Sequence, residues 1–308
     1  MKPWIAGALV VAALFLGAVE VSSRVGLRRI SKIYARIADE YRGAVTLRPG
    51  PVALQPGPVV TQRRVLFVGN SLLNFALKFE QVKPALEPGW DARRLMIEQT
   101  SFYDWYYGLR RLFAEGSRPE VVVLTLTPRQ VVNDETRGDR FAYEQMLMSD
   151  LPEVAQVLHL HPTNTAGMAF AHLSSFYGNR SELRKVLLGR LMPGLPALTQ
   201  RMTLPPVAPL SDAAVVERGG ERLRMIREMT DAHGARLILV VPPTLNKQDG
   251  AQALVRAGKA AGVTVLVPVA SGSLPPEMFW DGYHLGSEGA QVFTSSLIPL
   301  VQATIAAP

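Results

Sequence analysis

Val65-Leu66-Phe67-Val68-Gly69-Asn70-Ser71-Leu72-Leu73-Asn74-Phe75-Ala76-Leu77 holds a strand, a tight turn and the start of a helix in one short stretch. The apolar run is continuous instead of alternating, which is the signature of a strand covered on both faces, as in a parallel sheet flanked by helices. Gly69-Asn70-Ser71 interrupts it, and the apolar spacing of a helix follows at once. Serine at such a junction is a natural N-cap. The same position suits a nucleophile, because the first N–H groups of the helix and its dipole lie where a developing oxyanion would need them.

Working outward, the pattern repeats. Val65–Val68, Leu95–Glu98, Val121–Leu126, Leu237–Val241 and Val263–Val267 read as short strands. Asp104–Ala114, Arg222–His233, Ala251–Ala261 and Gln291–Ala306 read as helices. Strands alternating with helices predict an α/β fold of three layers with a mostly parallel sheet, whose ligands bind beyond the carboxyl ends of the strands. Residues 139–214 carry no strand signal and predict a helical insertion.

A second motif lies far downstream. In Trp280-Asp281-Gly282-Tyr283-His284-Leu285, a carboxylate precedes a histidine by three residues, just before the closing helix. A serine needs a base whose second ring nitrogen is held by an acceptor, and Asp281 and His284 supply that pair if the chain brings them to Ser71. The competing reading makes them turn and helix caps. His159-Leu160-His161 has no neighbouring carboxylate and the chain has no cysteine, so neither a metal site nor a disulfide is expected. No glycine-rich phosphate loop or dinucleotide fingerprint occurs, which argues against kinases and dehydrogenases, and no cofactor is expected. The aromatic run Phe102-Tyr103-Asp104-Trp105-Tyr106-Tyr107 offers Trp105, Tyr106 and Tyr107 either as a sugar-stacking surface or as core.

Gly69-Asn70-Ser71 at the end of the first strand, with Asp281-x-x-His284-Leu285 before the last helix, resembles the SGNH (GDSL-like) hydrolase superfamily of serine esterases and acyltransferases. The resemblance spans residues 63–308. It implies a flavodoxin-like α/β/α fold with Ser71 as nucleophile, His284 as base and Asp281 as its orienting partner. The chain departs from the family where Asn70 replaces the usual Asp of the first block. It departs again where Glu98-Gln99-Thr100-Ser101-Phe102 lacks the usual oxyanion glycine, and where Thr127-Pro128-Arg129-Gln130 stands for Gly-x-Asn-Asp. Donors to the oxyanion are then sought at Ser71, Thr100, Ser101, Arg129 and Gln130.

The net charge of +7 is uneven: residues 1–62 hold eight Lys/Arg against three acids, and residues 63–308 hold 25 against 23. The basic excess is therefore membrane-proximal charge and not a nucleic-acid footprint. Residues 3–19 are an unbroken apolar run closed by Glu20, at the short end for a spanning helix. A signal anchor over 1–22 is expected, with a cleaved signal peptide as the alternative at Val21-Ser22-Ser23. Residues 23–62 then form a basic juxtamembrane helix and a spacer with Pro-Gly-Pro-Val at 49–52 and 56–59. Arg24, Arg28, Arg29, Lys32 and Arg36 after the run favour a cytoplasmic domain by the positive-inside rule. The family resemblance favours a periplasmic or extracytoplasmic domain on a single-pass protein of the bacterial inner membrane. It also implies action on ester groups, first O-acetyl groups, of an envelope or secreted polysaccharide, within a polysaccharide-biosynthesis complex. The alternatives are a lipid or small-ester hydrolase and a catalytically silent glycan-binding or scaffold protein of an export complex.

Overall fold

The computed structural model describes residues 2–48, 62–192, 194 and 210–306. Both Pro-Gly-Pro-Val segments of the expected spacer, and residues 195–209 of the expected insertion, lie outside the described residues.

The contacts divide the chain into two compact units, one of Met1–Ala38 with Arg137–Val207 and one of Asp39–Thr136 with Ala208–Pro308. The second unit is the α/β fold. Its sheet has five parallel strands, β1 (Arg63–Gly69), β2 (Trp90–Met96), β3 (Val121–Thr125), β4 (Arg236–Val240) and β5 (Thr264–Leu266), in the order β2-β1-β3-β4-β5. The central strands are the apolar runs of the sequence, and Val121–Thr125 is buried throughout. The edge strand β2 alternates, with Ala92 buried and Arg93 exposed, as a strand with one covered face must. In register, Gly69 stands beside Met96 and Thr125, and Thr125 beside Val240, so four strands end level. Sequential connections run from β1 to one side and from β2 back across to β3 on the other, which makes the gap past the ends of β1 and β3 a topological switch point.

The closing helix Ser287–Ala306 packs Phe293, Leu297, Val301 and Ile305 into the core with Phe67, Val123 and Ile238. Their spacing of four residues is one helical stripe. The helix Asp212–Asp231 packs on β4 and on the helix Ala251–Ala261. Close packing makes Gly258 irreplaceable there: a Cβ would stand 2.2 Å from Val265 Cγ2 and 2.9 Å from Val263 O. We expect Gly258→Ala to lower stability by about 1–3 kcal/mol through overpacking, read as an earlier chemical unfolding midpoint.

The other unit is helical. The helix Pro3–Ile30 contains one window long and apolar enough to cross a membrane, with mean hydropathy 2.2 and none of it buried. The helix does not stop with the apolar run. It continues to Ile30 and breaks at Ser31, whose hydroxyl donates to Glu182 Oε1 at 3.1 Å and accepts the Tyr34 N–H at 3.2 Å, starting the helix Lys32–Val45. Glu144 pairs with Arg140 and, at 3.0 Å, with Arg137, and Arg140 also reaches Glu182 at 3.5 Å. Arg140 is nearly fully buried, so removing either carboxylate would leave a buried cation short of a partner.

Candidate active site

Ser71 stands two residues past the end of β1, at the switch point. It is the first residue of the helix Ser71–Ala76, and the capping role anticipated for it belongs to Asn70. Asn70 Oδ1 accepts the Leu72 N–H at 3.0 Å and Asn70 Nδ2 donates to Thr100 O at 2.9 Å, so one buried side chain caps the helix and ties the loop after β1 to the loop after β2. An aspartate could make only the first of these bonds, because an ionised carboxylate has no donor. Asn70→Ala is expected to cost about 1–3 kcal/mol of stability, measured by urea unfolding, from a lost cap and an orphaned buried carbonyl.

The second motif is folded into a short loop closed by an antiparallel bridge between Phe279 and Leu285 and by Trp280 N–H donating to His284 O at 3.0 Å. Gly282 turns the loop with φ of 80°, a conformation that favours glycine. Asp281 Oδ1 accepts the backbone N–H groups of Tyr283 and His284 at 2.9 and 2.7 Å. Asp281 Oδ2 lies 2.7 Å from His284 Nδ1, and His284 Nε2 lies 3.0 Å from Ser71 Oγ. A carboxylate is acceptor only, so Nδ1 carries the proton and Nε2 is left to accept from the serine hydroxyl. Loss of water pushes the Asp281 carboxyl up. The hydrogen bonds from the backbone and ring of His284 and from the Tyr283 backbone outweigh that and hold it below its ordinary value.

The structure therefore brings Ser71, His284 and Asp281 into one hydrogen-bonded line. The other candidates fall differently. Thr100 is buried, with its hydroxyl donating to Ile97 O and accepting the Trp105 indole N–H. The Ser101 N–H is held by Asp104 Oδ2 at 2.8 Å. Gln130 Oε1 caps Thr127, while its Nε2 stands 3.5 Å from Tyr283 Oη. Arg129 is exposed and close enough to act on Tyr283 electrostatically; partial burial and the Asp281 carboxylate push that phenol up, and Arg129 opposes them. Ser71 opens its helix, where first-turn N–H groups have no intrahelical acceptor.

Trp105 and Tyr107 are fully buried and Tyr106 is half-buried, so two of the three aromatic residues considered for sugar stacking belong to the core. The solvent-facing aromatic residues beside His284 are others. Phe75 (39 % exposed), Trp280 (53 %) and Tyr283 (45 %) surround the imidazole of His284, with ring centroids 4.8, 6.0 and 5.0 Å from it. Sequence reasoning passed over these three. Their signal was adjacency: Trp280 and Tyr283 each precede a motif residue, and Phe75 follows Ser71 by one helical turn. Among the described residues, no group of three or more metal-ligating side chains occurs.

No protein-family model and no curated protein sequence matches the chain. Solved structures similar to it include a catalytic mutant of an acetylxylan esterase from Geobacillus stearothermophilus, with a TM-score of 0.41 and 12 % identity over 77 % of this chain and 93 % of that one. An alpha/beta hydrolase from the metagenome of Lake Arreo, Spain, has a TM-score of 0.39 and 11 % identity over 78 % and 95 % of the two chains. TesA has a TM-score of 0.39 and 13 % identity over 78 % and 99 %.

Proposed function

We propose that the chain is a serine esterase. The observation that carries this is the unbroken line from Asp281 Oδ2 through both nitrogens of His284 to Ser71 Oγ, at 2.7 and 3.0 Å. In the first step Ser71 Oγ attacks an ester carbonyl while His284 Nε2 takes its proton, and the tetrahedral oxyanion forms beside the N-terminus of the helix Ser71–Ala76. His284 then returns the proton to the departing alcohol, leaving an acyl-serine. Water, or a sugar hydroxyl in an acyl transfer, attacks that ester with His284 again as base. Asp281 holds the productive tautomer throughout and stabilises the imidazolium.

The surroundings of the base support a substrate class. Three exposed aromatic rings around His284 offer flat apolar faces of the kind that pack on sugar rings, which supports O-acetyl groups of a polysaccharide as the esters attacked. The helix Pro3–Ile30 would hold the enzyme at the bacterial inner membrane with its α/β unit on the extracytoplasmic side, where such polymers are built. Retention of that helix is supported by its continuity through Val21-Ser22-Ser23 and by the hydrogen bonds of Glu20 to Ser174, Ser175 and Phe176, which a cleavage there would forfeit. The test is labelling of the full chain in detergent with a fluorophosphonate probe, beside Ser71→Ala and His284→Ala. Labelling of the parent alone is the expected result; no labelling of the folded parent would refute the esterase reading.

A further inference from the structure

Glu20 ends the apolar run, yet it is bound as though it had to be kept from an apolar phase. Its carboxylate accepts Ser174 Oγ at 2.9 Å, the Ser175 N–H at 2.7 Å, the Phe176 N–H at 3.2 Å and Arg24 Nε at 2.8 Å. This fixes the corner between the helices Pro162–Leu173 and Ser175–Gly178 against the helix Pro3–Ile30, all within one compact unit. The side chains leaving that corner are apolar and open: Phe170 is 63 % exposed, Leu173 66 % and Phe176 49 %. Phe170 and Leu173, with the exposed Ala166, share one face of Pro162–Leu173, and that face turns polar at its far end, at Thr163.

Length makes the position of this corner informative. Residues 3–19 rise about 26 Å as a helix, some 4 Å less than a hydrocarbon core of about 30 Å. A bilayer closing that deficit would reach past Glu20, which is bonded to Ser174, Ser175 and Phe176 at the corner that Leu173 and Phe176 flank. A bare carboxylate there would be costly; one with four donors is not. Further along the same helix, Arg24, Arg28 and Arg29 line a recess with Tyr34 and Tyr143, a basic surface suited to lipid phosphates.

We infer that Phe170, Leu173 and Phe176 form a second membrane contact, lying in the lipid–water interface of a bilayer with anionic headgroups beside the exit of the spanning helix. The inference rests on Pro3–Ile30 being a retained span. Its consequence is that the helical unit is set at a fixed height and orientation on the lipid surface instead of swinging on a tether.

The chain has no cysteine, so single nitroxide labels can be placed without first removing a native thiol. Full-length Leu14→Cys, Leu173→Cys, Phe176→Cys and Ala260→Cys, spin-labelled and reconstituted in nanodiscs of equal parts phosphatidylglycerol and phosphatidylcholine, would be compared for collision with oxygen and with a water-soluble nickel chelate. The expected result is a deep label at 14, an aqueous label at 260, and labels at 173 and 176 several-fold better shielded from nickel than that at 260. Aqueous labels at 173 and 176 with a deep label at 14 would overturn the inference and leave the anchor standing. An aqueous label at 14 would overturn both. Dipolar broadening at 173 or 176 that vanishes on dilution with unlabelled protein would put a second copy of the chain on this face in place of lipid, and would also overturn it.

Discussion

Ser71→Ala is expected to lower kcat on an aryl acetate by about 10⁴–10⁶-fold while leaving the melting temperature of the protein nearly unchanged. The two halves of that expectation have separate physical grounds. The loss follows because Ser71 Oγ lies within hydrogen-bond distance of His284 Nε2, at 3.0 Å, and alanine leaves nothing there to be acylated. The retained stability follows because the helix is capped by Asn70 and not by Ser71. Serine serving as an N-cap would instead cost about 1 kcal/mol on truncation with no catalytic effect. Steady-state kinetics beside a thermal melt on the same preparation separates the roles, and an active, destabilised alanine variant would return Ser71 to structure.

Asp281→Asn carries the second large effect, a fall in kcat of about 10³–10⁴-fold. Asparagine keeps an oxygen for the Tyr283 and His284 N–H groups, so the loop should survive. Its amide would then face His284 Nδ1 with a donor, forcing the proton onto Nε2 and depriving Ser71 of its base. The pH dependence has a definite sign. The Asp281 carboxyl is held below its ordinary value in the folded chain, so its contribution to stability is present above the unfolded carboxylate pKa of about 3.9 and is lost as pH falls through the lower folded value. The melting temperatures of parent and Asp281→Asn should therefore differ at every pH above that value and converge only in strong acid. Convergence already at mildly acidic pH would mean that the carboxylate is not held as the geometry indicates.

What the sequence disclosed was whatever is local. β1, the turn and Ser71 are contiguous, and Asp281 and His284 sit within one loop, so period and spacing were enough to find them. β2 was placed late, at Leu95–Glu98 instead of Trp90–Met96, because an edge strand carries Asp91, Arg93 and Arg94 and only its inner end looks apolar. The helix Asp212–Asp231 begins ten residues before the expected Arg222 and runs through Gly219-Gly220. In the fold Gly219 lies against Leu254, where a Cβ would come within 3.2 Å of Cδ1. The aromatic run at 102–107 has the spacing of a buried stripe and of a binding platform alike, and only the third dimension put Trp105 and Tyr107 inside. The break at Ser31 could not be read at all, because the partner that stabilises it, Glu182, is 151 residues away.

The bond between Ser71 and His284 joins residues 213 positions apart. At the ordinary pace of protein synthesis, about 5–20 residues per second, the ribosome supplies the base roughly 10–40 s after the nucleophile. Throughout that interval the growing chain holds a serine with no proton acceptor. A serine and histidine laid out in this order cannot meet while the chain is being made; they come within reach only once the 279–285 loop and the helix behind it have been synthesised and docked.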